Sequence, residues 1–358
     1  MNVIGNNNTF KKSVVMTNGN SSLHINNDTK ILVVGDLHYQ EGDLIMPGLF
    51  NKKIDKILDE GKYDCCVLLG DVFHKFENVN THASKMVYNL FSIITDYCPL
   101  FVLVGNHDFI NGRQFLTENH SLLPYKKWQK VMIIDQPKRI KMPNCRLLFV
   151  PYVPKGRFFE ALEDVDKWES VDMIFAHQEF QGCQMGGYVS VDGDGWSEKF
   201  PPIISGHCHS KHKIKNITYP GTPYDIGYGG SEKRYVAEVV FTEDSYKINY
   251  ILTNLPRKKV IRLTCKEARE WVPEGIDYYK LKIVSTKEEY TSFRGSSHAK
   301  DLVNTGVKIE HVPSDRKRID EFLEKRKNDS KGCETYKDIF RNLVKKEGLD
   351  EISKKIFT

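Results

Sequence analysis

Three features of the 358-residue chain predict an α/β fold built on two packed sheets, with a smaller α+β module towards the C-terminus. Short apolar runs recur, each closing on a polar turn; helix-period stripes separate the first three; and after Lys130 the texture shortens to closely spaced strands. The runs are ILVV-GDLH (31 to 38), CCVLL-GDVFH (65 to 74), FVLV-GNHD (101 to 108), MIFA-HQEF (173 to 180) and PIIS-GHCH (202 to 209). A continuous apolar run of four or five residues reads as a strand buried on both faces, so the residues after it sit at the C-terminal edge of a sheet.

Residues 1 to 28 are rich in Asn, Ser and Thr without apolar periodicity, which predicts a disordered leader. Between the first two runs, Leu49, Phe50, Ile54, Ile57 and Leu58 form one helical face. Between the second and third, Ala83, Met86, Val87, Leu90, Phe91, Ile94 and Tyr97 form another. Strand and helix in alternation with short loops predict parallel, right-handed crossovers. Beyond Lys130, VMIID, CRLLFV, the two His-bearing runs, NITYPG, RYVAEVVF and YKINYIL predict a second, mainly antiparallel sheet packed on the first. The functional rim then lies where the two sheets meet.

A boundary is predicted at Asn254-Leu255-Pro256, closing a domain over 29–255. The following module, 256–316, holds candidate strands VIRLT, YYKLKIVST and VKIEHV and a helix near Ala299 to Val303. From 317 to 358 the chain is charged and helical in pattern, with an apolar stripe of Tyr336, Ile339, Phe340, Leu343 and Val344 and a stop at Gly348.

Composition sets limits. A hydrophobic content of 40% supports a sizeable core, and the net charge of +5 suits a polyanionic partner without requiring one. The eight cysteines are scattered, with no CxxC pair, so neither a zinc knuckle nor a redox motif is present and a reducing compartment is expected. No apolar stretch would span a bilayer and the first thirty residues lack a signal-peptide core. The expectation is a soluble, intracellular protein of the cytoplasm or nucleus, with no membrane partner.

The polar residues that end the runs are Asp36, His38, Asp71, Asn106, His177, His207 and His209, a mixed oxygen and nitrogen set large enough for two divalent ions. Two ions about 3.5–4 Å apart need a ligand that touches both, and a carboxylate can do so. Asp71 is the expected bridge, with Asp36, His38 and His209 on one ion and Asn106, His177 and His207 on the other. Without thiolate the set suits manganese, iron or zinc, with manganese the first choice. Such a pair clamps a phosphate and activates water, leaving protonation of the departing alkoxide to the protein. His107 is the candidate for that step, with Asp108 fixing its tautomer, and His74 could orient the phosphate or the leaving sugar. His24, His82, His120, His212, His298 and His311 lack such context and read as ordinary, and Cys208 reads as an inward-facing packing residue.

GDLH, GDVFH, GNHD, a lone His after an apolar strand, and GHCH resemble the five blocks of the calcineurin-like metallophosphoesterases. The GD-x-F-H form with GNHD resembles the SbcD-type DNA repair and recombination nucleases. HQEFQG (177 to 182) and YPGTPYDIGYG (219 to 229) are similar to their phage recombination-nuclease branch. The resemblance implies a four-layer αββα metallophosphoesterase sandwich with a small capping domain. It also implies a manganese-dependent exonuclease and endonuclease acting on DNA ends and single-stranded DNA. It further implies an SbcC-type ATPase partner, for which the Tyr336 to Val344 stripe is the candidate docking segment, and it allows a homodimer. Tyr39-Gln40 after His38 and the Asn-rich leader depart from the pattern. Candidate backbone contacts for DNA are Arg113, Lys126, Lys127, Lys130, Lys155, Arg157, Lys211 and Lys213. The alternatives are a nucleotide phosphodiesterase or protein phosphatase using the same two-ion centre, and a non-catalytic scaffold. The scaffold reading requires the loss of a ligand or of His107, and none is lost.

Overall fold

The structure, a computed structural model, describes residues 28–76 and 79–313. The expected leader, up to residue 27, and the expected helical tail with its Tyr336 to Val344 stripe lie outside the described residues.

The first sheet contains β1 (Thr29–Val34), β2 (Cys65–Leu68), β3 (Leu100–Leu103) and β4 (Val131–Ile134), all parallel, with α1 (Ile45–Gly61) and α2 (Thr81–Tyr97) as crossovers. The second sheet contains β5 (Lys138–Lys141), β6 (Arg146–Val150), β7 (Met173–His177), β10 (Ile203–Gly206), β11 (His212–Ile214) and β12 (Ile217–Tyr219). A short helix, α3 (Phe158–Leu162), and a two-stranded hairpin of β8 (Gln184–Met185) and β9 (Tyr188–Val189) fall among them. The chain then returns to the first sheet with β13 (Tyr235–Phe241), antiparallel to β1, and β14 (Tyr246–Leu252), antiparallel to β13.

Period-2 alternation along these strands makes the layers. Leu32, Val34, Cys66, Leu68 and Val102 face the helices and pack on Phe50 and Ile54 of α1 and on Val87, Leu90 and Phe91 of α2. Their neighbours Ile31, Val33, Cys65, Val67 and Leu103 face the other way and meet Leu147, Phe149, Met173, Phe175 and Ile204 of the second sheet. That sheet's outer face, with Leu148, Ile174 and Ile203, is covered by Phe158, Ala161 and Leu162 of α3. The result is the helix–sheet–sheet–helix order of an αββα sandwich. Each fully buried phenylalanine in it contributes about 1.5–3 kcal/mol relative to exposure.

Two expectations are corrected. The second sheet is not mainly antiparallel: β6, β7, β10 and β12 are parallel, and only the edge strands β5 and β11 are antiparallel. VMIID, RYVAEVVF and YKINYIL belong to the first sheet. Short apolar strands look alike in either orientation; the connection, here returning through α3 and the hairpin, decides it. Tyr97, expected on the apolar face of α2, is exposed, and its hydroxyl donates to Asp55.

After Leu252 a smaller sheet forms from β15 (Lys258–Thr264), β16 (Tyr278–Ser285) and β17 (Lys308–Pro313), all parallel. Helices α4 (Cys265–Glu270), α5 (Lys287–Gly295) and α6 (Ser297–Asn304) cover one face, around Leu281, Ile283, Phe293 and Leu302. The first two start with capping boxes, Thr264 with Glu267 and Thr286 with Glu289, a local signal the sequence reading passed over. Among the described residues no helix is long and apolar enough to cross a membrane.

Candidate metal centre

Asp36 and His38 follow β1, Asp71 follows β2, Asn106 follows β3, His177 ends β7, and His207 and His209 follow β10. Because the central strands of both sheets are parallel and packed face to face, these C-terminal ends share one rim. Two groups of ligand atoms result, Asp36 with His38 and His209, and Asp71 with His177 and His207; within each, the atoms lie within 4.8 Å of one another.

Asp71 stands between the groups. Its Oδ1 is 3.4 Å from His177 Nε2 and its Oδ2 is 3.5 Å from His38 Nε2, so one oxygen faces each side. Asn106 Oδ1 lies 2.8 Å from His207 Nδ1 and 3.0 Å from His177 Nε2, completing the second group. In the first, His38 Nε2 and His209 Nε2 are 3.0 Å apart, and Asp36 Oδ2 is 3.7 Å from His209 Nε2. Both Asp36 oxygens also accept the His207 backbone N–H, which ties the two groups together.

The loops are strained to achieve this. His38, Asp71 and His207 have φ of 49°, 48° and 79°, the left-handed region that side chains other than glycine seldom adopt. Residues held there cost about 1–3 kcal/mol each and persist where the surroundings over-determine them. The preceding glycines provide room: a Cβ on Gly105 would lie 2.3 Å from Asp71 Oδ1, and one on Gly206 would lie 2.7 Å from Asp36 Oδ1.

The donor set fits divalent cations. Burial pushes His38 well below the ordinary imidazole range, which leaves it in the neutral, ligating form. Burial alone would raise Asp71, but His177 and His38 beside it hold the carboxyl far below its usual range. Burial would lower His177 too, yet Asp71 and Asp36 outweigh it and raise this imidazole to about 9. A buried pocket that draws a proton onto a histidine at neutral pH is one that calls for positive charge. Ring orientation is preset as well, since His177 Nδ1–H donates to the Leu69 carbonyl at 2.8 Å and leaves Nε2 for the ion.

His107 lies beside the first group, its ring centroid 4.9 Å from that of His38. Its backbone N–H donates to Asp71 Oδ1 and its Nδ1 lies 2.7 Å from the His74 carbonyl. Donation to that carbonyl leaves Nε2 free. The ring also stacks on His74 and Phe76. Asp108 does not orient it: this buried carboxylate accepts the backbone N–H groups of Val72, Phe73 and Gly105, and burial pushes it up to about 7. The expected tautomer-fixing role falls to a carbonyl because the turn after β3 directs Asp108 inward, where it clips the Asp71 and Asn106 loops together. His74 Nδ1 is 3.3 Å from His38 Nδ1, behind the ligand.

Sequence reading missed other contributors. Glu179, buried two residues after His177, accepts Ser190 Oγ at 2.6 Å and Lys155 Nζ at 2.9 Å, and lies 3.6 Å from His207 Nε2. Burial would raise its carboxyl, but those neighbours lower it to about 2. Tyr152 stacks on His207. A carboxylate inside a buried run was the available signal for Glu179; Tyr152 offered none. His120, His212, His298 and His311 stand apart from the metal groups, and Cys208 is buried with its Sγ 3.4 Å from Met185 Sδ.

Carboxylates, an amide and imidazoles gathered around a shared aspartate on the rim of an αββα sandwich define a metal-dependent phosphoesterase with two metal-binding sites. The chain belongs to the calcineurin-like phosphoesterase family, whose model matches residues 29–252. It is 34% identical over 276 residues to a relative from Invertebrate iridescent virus 6 and 30% identical over 297 residues to one from Invertebrate iridescent virus 3; these carry the names "Putative phosphoesterase" 244L and 078R. The alignments cover 74% and 81% of this chain and 97% and 86% of the relatives. It is also 21% identical over 290 residues to "Exonuclease subunit 1" of Enterobacteria phage T4, covering 78% of this chain and 76% of that one.

Proposed function

We propose that this phosphoesterase is a DNA nuclease of the SbcD type, hydrolysing phosphodiester bonds at DNA ends and in single strands with manganese, alongside an SbcC-type ATPase. The observation that carries the reading is a further histidine cluster, His38 with His74 and His107, which places two more imidazoles beside the ligand groups. The likeness to the phage exonuclease subunit supports it.

Asp36, His38, His209 and Asp71 would hold one ion, and Asp71, Asn106, His177 and His207 the other. When bound, such ions polarise the phosphate, activate water and stabilise charge on the attacking and departing oxygens. His107, anchored through Nδ1, presents Nε2 to protonate the departing sugar oxygen. Neutral His74 is set to accept the Nδ1–H of His38, which turns the Nε2 of that ligand inward. Asp108 holds the loop that bears His107 and Asn106.

One observation favours a smaller phosphodiester or a phosphoprotein substrate. Of the basic candidates, Lys126, Lys155 and Arg157 are already in ion pairs, with Asp135, Glu179 and Glu160, and Lys211 lies over the rings of Tyr235 and Tyr250. The deciding experiment compares manganese-dependent cleavage of end-labelled single- and double-stranded DNA with hydrolysis of a phosphodiester dye. DNA cleavage that weakens steeply with salt supports the nuclease reading. Dye hydrolysis without DNA cleavage rejects it.

A further inference from the structure

Among the seven ligands His209 is the least enclosed. Its side chain is 51% exposed, against 15% for His207 and 4% or less for Asp36, His38, Asp71 and His177. Its ring meets His38 and Asp36 on one side and solvent on the other, so its place depends also on its backbone. The His209 carbonyl accepts two donors, the Thr222 N–H at 3.1 Å and Arg234 Nη1 at 2.9 Å.

Arg234 is itself held by Asp225, whose side chain is fully buried and accepts Arg234 Nε at 2.7 Å. The remaining capacity of that carboxylate belongs to the C-terminal sheet. Oδ2 accepts Arg257 Nε at 2.7 Å and the Lys258 backbone N–H at 3.0 Å, and Oδ1 takes Arg257 Nη2 at 3.2 Å. Lys258 opens β15 and pairs with Asp43, while its carbonyl accepts the Gly229 N–H. A chain of charge-assisted hydrogen bonds thus runs from the edge of β15 through Arg257, Asp225 and Arg234 to the backbone of a metal ligand. None of Lys258, Arg257, Asp225 and Arg234 belongs to the candidate ligand groups.

We infer that Asp225 is a positioning residue through which the C-terminal sheet sets His209, so that the ion held by His209 binds only as tightly as that sheet is seated. This rests on the two-ion reading of the site. The physical reason is competition for one carboxylate. With Arg257 in place, Asp225 offers Arg234 a single oxygen through Nε, leaving Nη1 for His209. Without it, the Asp225 carboxylate keeps only the Lys258 N–H on the side of the C-terminal sheet and can turn with Arg234, which shifts the guanidinium relative to the His209 carbonyl. A partner that shifts β15 would act on the site by the same route.

The test is manganese titration of the metal-free full-length protein by calorimetry with a competing chelator, for wild type, Arg257→Gln, Arg234→Gln and the double variant. In each single variant one ion should weaken by about tenfold or more while the other is unchanged. The double variant should add little, because both changes break one chain. Arg257→Lys, which keeps the charge without the fork, should fall between wild type and Arg257→Gln, and it serves in its place if circular dichroism shows that variant unfolded. Unchanged affinities in Arg257→Gln and Arg257→Lys, or equal weakening of both ions, would overturn the inference. A wild-type protein binding one ion would reject the two-ion reading instead; the coupling would then be read from whether that single ion weakens.

Discussion

The metal rim and the Asp225 joint both bury carboxylates, and they neutralise them in opposite ways. At the joint the chain supplies permanent cations: Arg234 and Arg257 meet Asp225, and Lys258 meets Asp43. At the rim Asp36 and Asp71 face imidazoles, which carry no fixed charge, and the loops bearing them are held at positive φ. A buried carboxylate without a cation is costly, so the joint is complete by itself while the rim is complete only with ions from outside. Self-sufficiency marks the structural site, and incompleteness the functional one.

Breaking the rim should give the largest effect. Asp71→Asn changes the carboxylate that faces both groups, so metal analysis should find at most one weakly held ion and phosphodiester hydrolysis should fall to background; near-normal loading would refute the bridging role. His107→Ala should retain both ions yet lower turnover by about 10²–10⁴-fold, the usual worth of a general acid. Full activity in that variant would remove His107 from the mechanism.

At the joint the effect should appear in stability. Asp225→Ala removes the shared carboxylate from two part-buried guanidinium groups and should destabilise the protein by about 1.5–3 kcal/mol, read from denaturant unfolding. A loss below about 1 kcal/mol would mean that water replaces the pairing. Removing the ions from wild type with a chelator should cost about 2.7 kcal/mol of stability for each ion present at a hundredfold above its dissociation constant. The same chelator should leave the stability of a variant unable to load metal unchanged.

The smallest and sharpest contrast is in pH dependence. Burial would raise Asp225, but hydrogen bonds from Arg257, the Lys258 N–H and Arg234 outweigh it and keep the carboxyl below its usual range. Its contribution is therefore present above the ordinary carboxylate value, about 3.9, and is lost as pH falls through the lower native value. In the metal-free protein His177 behaves in the reverse sense. Its raised pKa contributes stability that is full below about 6.5 and is lost as pH rises through about 9. Unfolding curves of metal-free protein across pH should show both limbs, and adding manganese should flatten the alkaline one. An alkaline limb insensitive to metal would assign it elsewhere.

The candidate ligand set could be read from the sequence because each member lies within a few residues of the strand that delivers it. An apolar run followed by Gly-Asp or Gly-Asn is a local pattern, and two packed parallel sheets then bring the ends together. What was misread concerns partners distant along the chain. Asp108 stands next to His107, which made it the expected orienting group, yet its carboxylate turns to the backbone of Val72 and Phe73. Glu179 and Asp225 looked like ordinary acids in short strands and turns, since their meaning comes from Ser190, Lys155, Arg234 and Arg257. The direction of the central strands of the second sheet was misjudged for the same reason.

By itself the amino-acid order determined which segments are buried strands, which are amphipathic helices, and which side chains stand at the strand ends, because periodicity and turn chemistry act over a handful of residues. Only the tertiary structure decided which strands pair, which oxygen of Asp71 faces which histidine, and that a carbonyl holds His107, because hydrogen-bond and ion-pair partners are selected by space after the chain has closed.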